Sequence, residues 1–160
     1  MKTNDNFGYY MTKLLIIGPS YRRIEKEGLI PAIERYNGVF YRVTRKNNKN
    51  KDLLIFVLTE DLELIDAASK IPYRSPKGED WKKTKNPDHT SKYIEKMKGK
   101  NTLTLKKILD QGTIDEIFIA AGAIFRRALP TLDYFKGKII LPRGGIGPTA
   151  KLLKDWLSEK

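Results

Sequence analysis

Cysteine is absent from this chain, and His89 is the single histidine among 160 residues. Without cysteine there is no disulfide framework, thiolate zinc site, iron–sulfur cluster or cysteine nucleophile. One histidine makes a His-rich metal site or a Ser-His-Asp triad improbable on composition. The sequence therefore predicts a protein that uses neither a metal nor a cofactor.

Long hydrophobic runs are also absent. The longest span about seven residues, whereas crossing a bilayer takes roughly 20. The opening MKTNDNFGYYMTK has no apolar core of the kind found in signal peptides. We expect no membrane association, a cytoplasmic location, an N-terminal tail over residues 1–12 and a single α/β domain over 13–160.

The charge is strongly one-sided. Lys and Arg number 31 and Asp and Glu 19, giving a formal net charge of +12, while 40% of residues are apolar. That apolar content is enough to bury a core, so the chain is not a disordered polycation. The cationic surplus favours a polyanionic partner, most simply nucleic acid with DNA preferred, bound by a monomer or weak oligomer. The alternative is that the charge serves solubility alone.

Four short apolar runs predict buried strands, because each is nearly continuous in apolar residues rather than alternating. They are Lys13–Ile17, Leu53–Leu58, Ile117–Ala121 and Lys138–Leu141. Helical patterns between them indicate a three-layer α/β/α domain around a central four-stranded, mostly parallel sheet.

The helical patterns have recognisable ends. Pro31 precedes AIERY, which Gly38 would cap, and the other expected helices cover SKYIEKMK, LTLKKILDQ, Ala123–Leu129 and the segment from Thr149 onward. In the last of these we expect Leu152, Leu153, Trp156 and Leu157 to share one face. The stretch Val39–Arg45 fits either a strand or a helix.

Two segments are markedly basic. Arg74–Lys107 holds 11 Lys and Arg against four Asp and Glu, and Arg42–Lys51 holds five cations and no acid. The first contains Ser-Pro and Asn-Pro pairs, which predicts a basic loop insertion over about 74–107 with one or two short helices.

Parallel sheets bind ligands outside the carboxyl ends of their strands. Four segments would therefore converge on one crevice, namely those beginning at Gly18, Thr59, Gly122 and Pro142. Glycines before the last helix would let backbone N–H groups approach an anion, although a simple capping loop explains them equally well. The predicted substrate-binding residues are Gly18, Pro19, Ser20, Tyr21, Gly122, Arg126, Arg143, Gly144, Gly145 and Gly147.

Glu60 and Asp61 follow the second predicted strand and are the acids best placed for catalysis. A carboxylate there would orient water or stabilise a cationic sugar during glycosidic cleavage. The alternative is the first turn of a helix over DLELIDAA, where acids are common.

Basic residues with interspersed aromatics suit phosphate contacts and base stacking, although surface arginines and half-buried tyrosines are also ordinary. Tyr21 and Tyr41 are further stacking candidates, and of Arg126 and Arg127 only one should face the crevice. The predicted nucleic-acid-binding residues are Arg22, Arg23, Arg42, Arg45, Lys46, Tyr73, Arg74, Trp81, Lys82, Lys83 and Lys85.

Several motifs taken in order resemble the small YaaA-like domain family, which often lies near DNA-modification or defence genes. They are LLIIGPSYRR, GLIPAIERYNGVFYR, LLIFVLTEDLELI running to IPY, IFIAAGAIFRRAL and LPRGGIG. The chain departs from the family at Thr59-Glu60-Asp61-Leu62, where a Ser-Ala and Gly-Leu pattern is expected.

A more distant resemblance is to the uracil-DNA-glycosylase superfamily, through the loops at Gly18-Pro19-Ser20-Tyr21, Ala121-Gly122-Ala123 and Pro142-Arg143-Gly144-Gly145. The superfamily's Asp or Asn in the first loop and His in the last are missing. If the likeness holds, Glu60 or Asp61 would replace them.

The resemblance implies a DNA-binding N-glycosylase that flips and excises a base, with modified bases and antiviral defence as its niche. The alternatives are a non-catalytic DNA-binding stress or defence protein and an enzyme acting on free nucleotides or nucleosides.

Overall fold

A computed structural model describes residues 12–49, 52–77 and 90–159. Within these ranges the chain forms seven strands and five helices. In chain order they are β1 Thr12–Ile17, β2 Ile30–Pro31, α1 Ala32–Arg35, α2 Val39–Asn47, β3 Leu54–Leu58, β4 Leu64–Asp66, β5 Lys70–Ile71, α3 Ser91–Leu109, β6 Ile114–Ala120, α4 Ala123–Arg126, β7 Lys138–Ile140 and α5 Ile146–Ser158.

The central sheet has five strands in the order β4-β3-β1-β6-β7, and all pairings are parallel except β3 with β4. The mixed α/β fold is confirmed, and the four predicted strands are all present. The predicted strand count is wrong by one, since β4 adds an antiparallel edge. A separate antiparallel pair joins β2 and β5.

The β4 strand replaces the helix considered for DLELIDAA. The chain turns at Leu62, whose φ of 65° is in the left-handed region. It then runs back along β3, with Val57 opposite Ile65. The tight turn is stabilised by Leu62 N–H donating to Thr59 O at 2.9 Å.

Two clusters of buried side chains form the core. Successive residues of β1 alternate between them, since Leu14 and Ile16 belong to one and Leu15 and Ile17 to the other. The first cluster includes residues of α3 and α4, and the second includes residues of α1, α2 and α5. Apolar burial on both sides explains the continuous apolar runs of these strands.

The helix α3 overturns the expectation of mostly loop in the second half of the basic segment 74–107. It is one 19-residue helix, and Thr90 caps it by accepting a hydrogen bond from Tyr93 N. It passes through Gly99 without a break, although we expected separate helices on either side. Burial of Ile94, Met97 and Leu105 offsets the roughly 1 kcal/mol that a helical glycine costs.

The structure corrects three further predictions about the helices. Gly38 is not a C-cap of α1 but precedes α2 as its N-cap, which resolves Val39–Arg45 as a helix. The last helix starts three residues before Thr149, at Ile146. Leu152 lies outside its buried face and is 48% exposed.

No helix in the described ranges is long and apolar enough to span a membrane.

Candidate functional site

A cleft of about 680 Å³ opens at the carboxyl ends of β1, β6 and β7. The segments that follow these strands contribute Gly18, Gly122 and Gly145 to its lining, and the start of α2 contributes a further wall. Three of the four predicted segments therefore meet, as expected for parallel strands whose connecting loops share one edge of the sheet.

Much of the cleft wall is apolar or aromatic. Phe40, Tyr41, Ile119, Phe125 and Ile146 all line it. The Tyr41 hydroxyl donates to Gly18 O at 2.7 Å. Burial raises the pKa of Tyr41 well above its ordinary value, so this hydroxyl keeps its proton and stays a donor. The wall is therefore largely apolar, and the hydrogen bond of Tyr41 ties α2 to the loop after β1.

Four arginines complete the lining, namely Arg22, Arg42, Arg126 and Arg143. Arg126 also donates to Pro142 O at 3.4 Å, which links α4 to the loop after β7. Its neighbour Arg127 is exposed and does not line the cleft, so one of the two faces it, as predicted. Among the described lining residues none is acidic. The cleft therefore favours an anionic ligand.

The loop after β1 is held in place by Ser20. Its Oγ accepts from Gly38 N at 3.1 Å and donates to Arg22 O at 2.6 Å. A Cβ added at Gly38 would lie 2.6 Å from Ser20 Cβ, so glycine is needed for the close approach of this loop and α2. The predicted residues Gly18, Pro19, Ser20 and Tyr21 all line the cleft.

The glycines before α5 divide between two roles. Gly145 lines the cleft with φ of 87°, a left-handed conformation that favours glycine. Gly144 and Gly147 are exposed and are not among the lining residues. The α5 N-terminus itself faces the cleft through Ile146 and Thr149.

Glu60 lies outside the cleft lining, where its buried carboxylate contacts the buried Tyr36 and Arg23 and the half-exposed Arg74. Its Oε2 accepts the Tyr36 hydroxyl, and its Oε1 lies 3.9 Å from Arg23 Nη1 and 3.3 Å from Arg74 Nη1. Burial, followed by the charge of Glu60, raises the pKa of Tyr36. Three of the described side chains therefore hold this carboxylate.

Asp61 is exposed and pairs with Arg74 at 2.6 Å, while its carbonyl accepts the Tyr93 hydroxyl at 2.6 Å. It too is absent from the cleft lining. The segment after the second predicted strand, unlike the other three, contributes no residue to the lining of this cleft. After β3 the chain turns into antiparallel β4, and Glu60 contacts Arg23, which holds the loop after β1.

The predicted nucleic-acid contacts lie in different environments. Arg23 has a side chain only 2% exposed and donates to Ser20 O at 3.0 Å, so it braces the loop from inside. Arg45 donates to Ile33 O and Tyr36 O. Tyr73 donates to Glu25 at 3.1 Å. Trp81, Lys82, Lys83 and Lys85 lie outside the described residues.

A second, smaller depression of about 280 Å³ lies between α2 and α5. Arg42, Lys46 and Lys154 line it together with Val39, and it shares Val39 and Arg42 with the cleft. We call it the α2–α5 groove. It extends the positive surface of the cleft mouth along two helices.

Sequence reasoning did not identify Thr149, Phe40 or Lys154 as site residues. Phe40 lies in the segment left open between strand and helix, and its helical assignment is what turns it toward the cleft wall. Arg35 was also overlooked. It is 1% exposed and donates to four backbone carbonyls, those of Ile24, Lys26, Gly28 and Ile71. No local sequence signal distinguishes such a residue from a surface arginine.

Across the described ranges no group of three or more His, Asp or Glu is placed to hold a metal ion.

Comparison with known proteins identifies no relative. No protein-family model, no curated protein and no solved structure matches the chain. The resemblance to YaaA-like domains and to uracil-DNA glycosylases thus remains a prediction.

Proposed function

We propose that the cleft receives one nucleotide of a nucleic acid strand, DNA in the first instance, and that the protein is an N-glycosylase acting on its base. One observation carries the proposal. The cleft joins an apolar and aromatic wall to four arginines, and no acid is found among its described lining residues. A base has apolar faces and its phosphates are anionic, so a nucleotide matches both halves of this lining.

The size of the cleft agrees with a ligand of this class, because sites for small molecules and cofactors occupy about 300–1,000 Å³. An extruded nucleotide leaves its stack at a cost of a few kcal/mol. Stacking against Phe40 or Phe125 and phosphate contacts at the mouth would offset that cost.

The α2–α5 groove favours a polymer over a free nucleotide. Lys46 and Lys154 line this groove but not the cleft, so a mononucleotide in the cleft would leave them unused. In a strand, the neighbouring phosphates would reach them. Such contacts release counterions and make binding steeply dependent on salt.

The arginines indicate how the glycosidic bond would break. The C1′–N bond cleaves with its electron pair passing to the base, and water adds to C1′ and loses a proton that neutralises the base. A guanidinium beside the base stabilises the negative charge that develops on it. In this scheme Arg126 or Arg143 assists the leaving group, and Glu60 and Asp61 act only through the structure around them.

The layering of the domain, its cellular location and its oligomeric state are part of the same proposal. The two core clusters support a three-layer α/β/α domain with the sheet in the middle. We also propose a cytoplasmic monomer or weak oligomer, which cell fractionation and light scattering would test.

The test uses DNA duplexes and single strands carrying modified or damaged bases, treated with alkali to cleave abasic sites. We expect strand cleavage for at least one substrate and its loss in Arg143→Ala, with Arg127→Ala as the exposed control. Binding without cleavage on every substrate would support the alternative of a non-catalytic DNA-binding protein. A cleft whose described lining has no acidic residue fits that alternative as well. Binding of free nucleotides alone would overturn both.

A further inference from the structure

The first turn of α5 has unused hydrogen-bond donors. Helix N-terminal N–H groups have no partner within their own helix. Gly145, the N-cap, makes no side-chain capping bond, and the first turn has no acidic residue. Pro148 has no N–H, and Thr149 N donates to Gly145 O at 3.1 Å. Among the described residues, the N–H groups of Ile146, which lines the cleft, and of Gly147, its exposed neighbour, thus have no partner within the helix.

Thr149 supplies an independent observation. It lines the cleft, yet it is only 6% exposed. Its hydroxyl makes no hydrogen bond within residues 12–49, 52–77 and 90–159, unlike Thr44 and Thr102, whose hydroxyls donate to carbonyls four residues earlier. Burying a hydroxyl without a partner is costly, so this one calls for a ligand.

We propose that the start of α5 is a phosphate subsite, in which the N–H groups of Ile146 and Gly147 and the hydroxyl of Thr149 donate to one phosphate group. Thirteen aligned residues give α5 a partial positive charge at this end, which favours an anion. Arg143, two residues before Gly145, adds a full positive charge at the same mouth. The donors and the charge match an oxyanion, and the proposed function selects a phosphate ester as that ligand.

The subsite rests on the proposed function only for the identity of its ligand. On that view it holds the phosphate of the nucleotide in the cleft, while the α2–α5 groove holds phosphates further along the strand. The subsite fixes the sugar relative to the arginines, which positions the base against the apolar wall.

Inorganic phosphate is the probe, because it tests the subsite without a base or a polymer. In a ¹H–¹⁵N correlation titration we expect the amide signals of Ile146, Gly147 and Thr149 to move together. Thr149→Val removes the hydroxyl with little change of shape and should weaken phosphate binding about tenfold. Thr104→Val, on the half-exposed side of α3, is the matched control and should leave the affinity unchanged.

Two variants of Gly147 test the subsite if the Thr149→Val protein unfolds. A Cβ at Gly147 meets nothing within 4 Å, so Gly147→Ala should fold, and it keeps the backbone N–H, which makes it the uncharged reference for this position. Gly147→Asp places an anion beside the subsite and should abolish binding, although an acid in the first turn stabilises the helix itself.

Amide shifts spread over surface lysines, or equal affinity in Gly147→Asp and Gly147→Ala, would overturn the subsite. Phosphate binding at α5 together with no affinity for oligonucleotides would support the phosphate subsite and would contradict the proposed function.

Discussion

Tyr36 donates its hydroxyl hydrogen to Glu60 Oε2 beneath the loop that follows β1. The acid that the sequence singled out for catalysis is therefore bound by a buried tyrosine and two arginines, outside the cleft lining. Since Arg23 also holds Ser20 O, the cluster supports the cleft loop from behind.

The first prediction separates a structural from a catalytic role for the two acids. Glu60→Gln removes the negative charge that lies 3.9 Å from the buried Arg23 guanidinium and should lower the free energy of unfolding by about 3 kcal/mol. Asp61→Asn disturbs an exposed pair and should cost less than about 1 kcal/mol. Urea denaturation measures both. A stable Glu60→Gln protein that has lost only base release would restore Glu60 to catalysis.

Alkaline pH provides the second prediction. In the fold the pKa of Tyr41 is raised, whereas in the unfolded chain it lies near its ordinary value of about 10. The raised pKa of Tyr41 contributes to the free energy of unfolding, and this contribution is fully present below pH of about 10. It is lost as the pH rises further, because the unfolded chain alone releases the proton.

Tyr41→Phe should therefore be less stable than the parent at neutral pH, having lost the bond to Gly18 O, and should show a shallower loss above pH of about 10. Free energies of unfolding at pH 8, 9, 10 and 11 would be compared. Parallel curves for the two proteins would contradict the assignment.

The third prediction concerns Arg35, which ties the segment 24–28 to β5. Lysine cannot reproduce the forked donors that meet four carbonyls, so Arg35→Lys should cost about 3 kcal/mol. It should also speed tryptic cleavage after Lys26. Arg127→Lys, at an exposed position, serves as the control. Unchanged cleavage after Lys26 would show that the segment holds without Arg35.

The fourth prediction tests the glycine between the β1 loop and α2. Gly38→Ala would bring a Cβ to 2.6 Å from Ser20 Cβ, forcing the loop to move. We expect a loss of about 1–3 kcal/mol in stability and weaker ligand binding. Gly122→Ala meets only Phe125 at 3.8 Å and is the matched control for stability. Similar behaviour of the two variants would refute the role given to Gly38.

The sequence predicts the four parallel strands because each is a nearly continuous apolar run. In β1 and β6 this run matches burial on both sides of the sheet, whereas Ile139 of β7 is 39% exposed. The sequence does not predict β4, since Leu64–Asp66 is three residues long and its place depends on the left-handed turn at Leu62. It also misses the continuity of α3 through Gly99, which tertiary burial decides.

The candidate site was predictable to the extent that it follows from strand ends. Gly18, Gly122 and Gly145 could be placed together from the rule for parallel sheets alone. Glu60 could not be placed, because the direction of the chain after β3 depends on β4 and on its contacts with Tyr36 and Arg23. Thr149 was missed for a similar reason, as an unpaired hydroxyl is visible only once its neighbours are known.

The central claim is that the arginines of the cleft, rather than the overall charge of +12, hold the nucleic acid. Fluorescence anisotropy of a labelled single-stranded oligodeoxynucleotide tests it most directly, with Arg126→Ala/Arg143→Ala compared against Lys106→Ala/Lys107→Ala on α3. The two variants lose the same charge. We predict at least about a tenfold loss of affinity for the arginine pair and less than about twofold for the lysine pair. Equal losses in both would contradict the account.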